Sequence, residues 1–83
     1  MTEFEIEDKL VECDYLNEAE NCLKALGELH FCDEKIDNGC DEGEDEYVMM
    51  RSYDLNVGRQ KFYVRLYYGN NTTELGTFDV SLR

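Results

Sequence analysis

The chain has 83 residues with 20 Asp/Glu against 8 Lys/Arg, a formal net charge of −12, and yet 42% hydrophobic residues, 12% aromatic residues and no proline. That is enough core-forming material for one small folded domain, and too much for an acidic disordered tail. A field of this sign repels nucleic acid and anionic membranes and draws the protein toward basic surfaces.

The charge is unevenly placed. Residues 1–46 hold 17 acids against Lys9, Lys24 and Lys35, a balance of −14, whereas residues 47–83 hold 3 acids against 5 bases, a balance of +2. The opening Met-Thr-Glu-Phe-Glu-Ile-Glu has no basic segment leading into an apolar core, and no apolar run approaches membrane-spanning length. The expectation is a soluble, cytoplasmic protein with no membrane partner and no direct nucleic-acid contact.

Residues 3–15 carry two patterns: Phe4 and Ile6 alternate as in a strand, while Leu10, Val11 and Cys13 suit a helical face. A helix from about Glu5 is the favoured reading. Asn17 with Glu20 three residues on reads as an N-cap signature, Ala19, Cys22, Leu23 and Leu26 recur at helical spacing, and Gly27 follows as a stop. This predicts a helix over roughly 18–26 whose apolar stripe needs a sheet to cover. Leu29, Phe31 and Ile36 suggest a short extended segment. Between Asp33 and Glu46, eight carboxylates (Asp33, Glu34, Asp37, Asp41, Glu42, Glu44, Asp45, Glu46) face one lysine in what reads as an exposed loop between two unlike halves.

Three strands then close the chain. Tyr47 to Tyr53 alternates Val48, Met50 and Ser52 against Tyr47, Met49, Arg51 and Tyr53. Asn56 to Gln60, with Gly58, reads as a hairpin connection. Phe62, Val64, Leu66 and Tyr68 face one way and Tyr63, Arg65 and Tyr67 the other; Gly69-Asn70-Asn71-Thr72 turns the chain, and Phe78, Val80 and Leu82 form a last core face. The expected architecture is α+β: one or two N-terminal helices on an antiparallel sheet of three to four strands, ending in a β-meander. Its second sheet face is expected to offer Tyr47, Met49, Tyr53, Tyr63 and Tyr67. These either shield the sheet through cross-strand pairs or form a contact surface.

No catalytic set is evident. His30 is the one histidine and has no motif-placed nucleophile, no glycine-rich phosphate loop exists, and the dense carboxylates sit where nothing raises a pKa. An enzyme is not expected, nor a cofactor. Cys13, Cys22, Cys32 and Cys40 lack a Cys-x-x-Cys pair, and the EF-hand register fails with Glu42 or Lys35 at critical positions, so no metal is expected either. The thiols are expected to be free, with Cys13 and Cys22 partly buried.

What remains is a protein whose partner is basic. Closely spaced carboxylates can present charge much as a nucleic-acid backbone does, where B-DNA carries one charge per about 1.7 Å. Cys40-Asp41-Glu42-Gly43-Glu44-Asp45-Glu46-Tyr47-Val48-Met49-Met50 resembles the acid loop and following strand of the phage uracil-DNA glycosylase inhibitor family, and Leu16 to Glu20, ending at Gly27, is similar to that family's second helix. The resemblance implies two helices with an antiparallel sheet, carboxylates in place of DNA phosphates, and Val48 and Met49 on a strand lining an apolar pocket. The family's Glu-Ser-Ile motif before the helix is absent, with Glu12-Cys13-Asp14-Tyr15 in its place. The resemblance therefore supports the mimic strategy more than the target, which could be a DNA glycosylase, a CRISPR effector or a restriction enzyme. The alternative is an interaction or regulatory domain docking through the tyrosine face.

Overall fold

The computed structural model describes residues 2–37, 48–69 and 74–83. Helices α1 (Glu3–Val11) and α2 (Leu16–Leu26) precede strands β1 (Glu28–Asp37), β2 (Val48–Val57), β3 (Gln60–Gly69) and β4 (Leu75–Leu82). The strands form one antiparallel sheet in the order β1-β2-β3-β4. The two helices pack on one of its faces, so the fold is α+β with a C-terminal meander, as the pattern of residues predicted.

Helix α1 begins at Thr2, whose hydroxyl accepts the Glu5 amide at 3.3 Å; Glu3 and Glu5 sit at its positive end and Lys9 in its last turn. The two patterns in this stretch resolve in favour of helix because Ile6 and Leu10, four apart, are both fully buried, while Phe4 is 75% exposed.

The start of α2 differs from expectation. Its N-cap is Tyr15, and Glu18 Oε1 accepts the backbone amides of Asp14 (3.1 Å) and Tyr15 (3.0 Å). Asn17 therefore falls inside the first turn. The helix starts early because Leu16 belongs to the buried stripe Leu16, Ala19 and Leu23, spaced three and four apart. Gly27 does end the helix, but with extended backbone (φ −177°). Its need for glycine comes from packing: a Cβ there would lie 2.2 Å from the Asn56 carbonyl oxygen.

Strand β2 runs four residues beyond the expected end at Tyr53, and the connection shrinks to Gly58-Arg59, with Val57 paired to Gln60. Gly58 has φ +59° and no other described residue has positive φ, which fits a hairpin turn with glycine at its first central position. Strand β3 buries Phe62, Val64, Leu66 and Tyr68 on the helix side, against Ile6, Leu10, Leu16, Ala19, Leu23, Tyr53, Leu55 and Val80. On β4, Val80 is buried and Phe78 partly so, while Leu82, expected on the core face, ends the strand and is 55% exposed. The α1–α2 connection is tied to the start of β4 by Leu75 N donating to Asp14 O at 2.9 Å and by a bridge between Tyr15 and Glu74. The predicted turn at residues 70–72 lies outside the described residues.

Candidate partner-binding surface

Of the expected acid run, Asp33 and Glu34 lie on β1 and Asp37 ends it, so the run begins as strand and not as loop. Lys35 pairs with Met50 and Glu34 with Arg51, across a register shift between Phe31 and Asp33. Among the described residues strand β1 has a neighbour on one side only, and residues 30–35 are all exposed along this edge. Asp33 is turned locally, its Oδ1 accepting the Glu34 amide at 2.9 Å. Asp41, Glu42, Glu44, Asp45, Glu46 and Tyr47 lie outside the described residues.

Glu34 has a structural partner. Its carboxylate pairs with the Arg51 guanidinium, whose Nη1 also stands 3.5 Å from Glu20 Oε1, while Glu20 Oε2 accepts the Tyr53 hydroxyl at 2.9 Å. This network fills the seam between the sheet and α2. The Arg51 hydrogen bond, with further help from Tyr68, holds the Glu34 carboxyl below the usual carboxylate range. Burial, then the bond to Glu20, pushes the Tyr53 hydroxyl well above the ordinary tyrosine range.

The expected tyrosine face needs a correction. Tyr53 is 1% exposed and belongs to the core, and Met49 packs against that core. In the observed register Tyr53 opposes Val64 and Leu55 opposes Phe62, so Met49, Arg51, Tyr53 and Leu55 share the helix-covered face of the sheet. Met50 and Ser52 stand on the other face, opposite Tyr67 and Arg65. The overlooked signal was Leu55 and Val57, which share parity with Tyr53 once the strand is allowed to run to its true end. A sheet places its faces by where the apolar residues of the whole strand fall, and a segment cut at Tyr53 hides that vote.

Tyr63 and Tyr67 do share the open face, both half-buried, with Arg65 between them. The Arg83 guanidinium lies 4.4 Å from the Tyr63 ring centroid and Arg65 lies 5.9 Å from it, so cations of this chain already cover that ring. Arg65 in turn pairs with Asp79, and Arg83 Nε stands 3.6 Å from Asp54 Oδ1.

The arginines Arg51, Arg65 and Arg83 are thus each matched by carboxylates, Glu20 of α2 among them. Among the described residues, no lysine or arginine lies within ion-pair distance of Glu3, Glu5, Glu7, Asp8, Glu12, Asp14 or Glu18. Glu5, Asp8 and Glu12 are exposed and spaced three and four apart, opposite the buried Ile6 and Leu10. Reading the chain for dense runs missed this stripe, because helical spacing dilutes it along the sequence. Period-3.6 counting of acids, as of apolar residues, would have found it. Among the described residues no three His, Cys, Asp or Glu side chains converge as metal ligands, and no helix is long and apolar enough to cross a membrane.

No family model, curated protein or solved structure matches this chain.

Proposed function

We propose that this chain is a small acidic inhibitor that occupies the nucleic-acid-binding site of a basic host protein, in the manner of phage-encoded antagonists of CRISPR effectors, restriction enzymes or DNA glycosylases. The observation that carries the reading is the separation of charge: the sheet's arginines are matched by carboxylates, and among the described residues no lysine or arginine pairs with a carboxylate of α1. Glu3, Glu5, Glu7 and Asp8 lie within the nine residues of α1. At about 1.5 Å rise per residue that is roughly one carboxylate per 3.4 Å, the axial charge spacing of a single DNA strand. Unpaired like charges on one helix cost stability, so their placement suits a role in binding. A protein that binds nucleic acid through lysine and arginine would meet a like spacing of charge on this helix, with the exposed Asp33 of β1 as a further carboxylate.

The second reading, docking through the open sheet face, draws on Tyr63 and Tyr67. It has lost Tyr53 and Met49 to the core, and Tyr63 is already stacked by this chain's own arginines.

The test is competition. Purified protein should block loading of DNA or guide RNA by a host nuclease competitively, with association slowing more than twofold from low to physiological salt. In parallel, uracil excision by a bacterial uracil-DNA glycosylase is assayed at near-stoichiometric amounts; we expect it to proceed, since the Glu-Ser-Ile motif is missing. Inhibition there would instead assign the chain the activity of the family it resembles. Binding to a partner with an uncharged interface, with both activities intact, would overturn the mimic reading.

A further inference from the structure

Cys13, just past the end of α1, and Cys22, in the middle of α2, are both half-buried and reduced. Their sulfurs converge on one acceptor, the Lys9 carbonyl oxygen, at 3.5 Å from Cys13 Sγ and 3.9 Å from Cys22 Sγ. We propose that this pair is a covalent modification site, a vicinal dithiol that small-molecule disulfides oxidise to a Cys13–Cys22 bridge joining α1 to α2, while Cys32 stays reduced.

The surroundings hold both cysteines in place. Cys13 follows the buried Leu10, its amide donating to the Leu10 carbonyl at 3.0 Å, and Cys22 precedes the buried Leu23. The connection between them is pinned by the Glu18 cap and by the Asp14 carbonyl bonded to Leu75. Cys32 is placed differently. It sits on the β1 edge with Sγ 3.4 Å from Asp54 Oδ2, and Asp54 is paired with Tyr63 of the open sheet face, away from the helices. Four cysteines allow three complete pairings, and this placement rules against every one that joins Cys13 or Cys22 to Cys32.

The chemistry is two exchanges. One protein thiolate attacks a sulfur of the small disulfide, forming a mixed disulfide and releasing one small thiolate. The second protein thiol, deprotonated, attacks the protein sulfur of that mixed disulfide and releases the second small thiolate. The small disulfide gains two electrons and the two cysteines lose two, with their protons leaving to solvent. Burial, then the neighbouring Cys22, Glu18 and Glu12, pushes the Cys13 thiol up to about 11. The thiolate is the nucleophile, so exchange is slow at neutral pH and speeds as pH rises. Once closed, the short loop restricts the unfolded chain and secures the helix layer to itself.

Oxidised glutathione is the probe, applied to the reduced full chain at mildly alkaline pH, followed by alkylation, tryptic digestion and mass spectrometry. Cleavage after Lys9 and Lys24 leaves Cys13 and Cys22 on one peptide, and cleavage after Lys35 leaves Cys32 on the next. The expected result is the first peptide two hydrogens lighter and unalkylated, the second fully alkylated, and a higher urea midpoint for the oxidised protein. Cys22→Ser should abolish the mass loss and leave the fold intact by circular dichroism. The proposal is overturned if the first peptide is recovered alkylated at both thiols, if it keeps a stable glutathione adduct, or if Cys32 is consumed instead. A urea midpoint that falls or stays level on oxidation would show that the bridge does not fit the native helices.

Discussion

Replacing Tyr53 separates a core tyrosine from a contact tyrosine. The side chain is 1% exposed, meets the Phe31 ring edge-on at 5.8 Å between centroids, and donates its hydroxyl to Glu20 at 2.9 Å. Truncating a buried aromatic of this size to alanine costs about 3–5 kcal/mol in transfer and cavity terms. The hydroxyl adds less than a fully buried charged hydrogen bond, because Glu20 is 25% exposed and keeps Arg51 at 3.5 Å; about 1–2 kcal/mol is reasonable. Small proteins hold roughly 0.05–0.15 kcal/mol per residue, which for this length is of order 4–12 kcal/mol in total. Tyr53→Ala should therefore be largely unfolded or close to it. Tyr53→Phe, losing only the hydroxyl, should lower the urea midpoint by about 1–2 M at a slope near 1 kcal/mol/M. Tyr63→Phe on the open face should stay within about 0.5 kcal/mol of the parent. Urea titrations followed by far-UV circular dichroism measure all three. If Tyr53→Ala folded with the midpoint of the parent, the core placement of Tyr53 would be wrong and the face order inferred from β2 would fail with it.

Two further outcomes follow from the charges. Because the Arg51 hydrogen bond keeps the folded-state pKa of Glu34 below its ordinary value of 4.5, the pair's contribution is complete above that value and is lost as pH falls through the folded pKa. The pair is partly exposed, so Glu34→Gln should cost roughly 0.5–1 kcal/mol at neutral pH. That difference from the parent should vanish in acid, and a difference independent of pH would refute the pairing. On α1, Asp8→Asn removes a charge with Glu5 three residues before it and Glu12 four after it. It should raise stability by about 0.2–0.5 kcal/mol at low salt, an advantage lost at high salt, while slowing association with a basic partner. A variant that lost stability, or bound at the parent rate, would remove α1 from the binding surface.

Much of the architecture could be read from local rules. The stripe from Ala19 to Leu23 and the strict alternation of Phe62, Val64, Leu66 and Tyr68 each depend on residues close in sequence, and each appears as expected. The two helices, the meander and the location of the negative charge in the first half follow from these.

Tertiary contact decided what local pattern left balanced. The cap of α2 moved back to Tyr15 because Leu16 finds the core, and Gly27 is required by the nearness of Asn56, twenty-nine residues away. The faces of β2 reversed because its pairing with β3 sets Tyr53 against Val64 and Leu55 against Phe62. The acids divided into two kinds. Glu20 and Glu34 were drawn into a network with Arg51 and Tyr53, while Glu5, Asp8 and Glu12, on the outer side of α1, pair with no lysine or arginine among the described residues. Cys13 and Cys22 came to share one carbonyl. In each case the sequence by itself determined which residues were available, by composition and spacing. Which ones meet depended on burial summed over strands and helices distant in the chain, a quantity that no single segment carries.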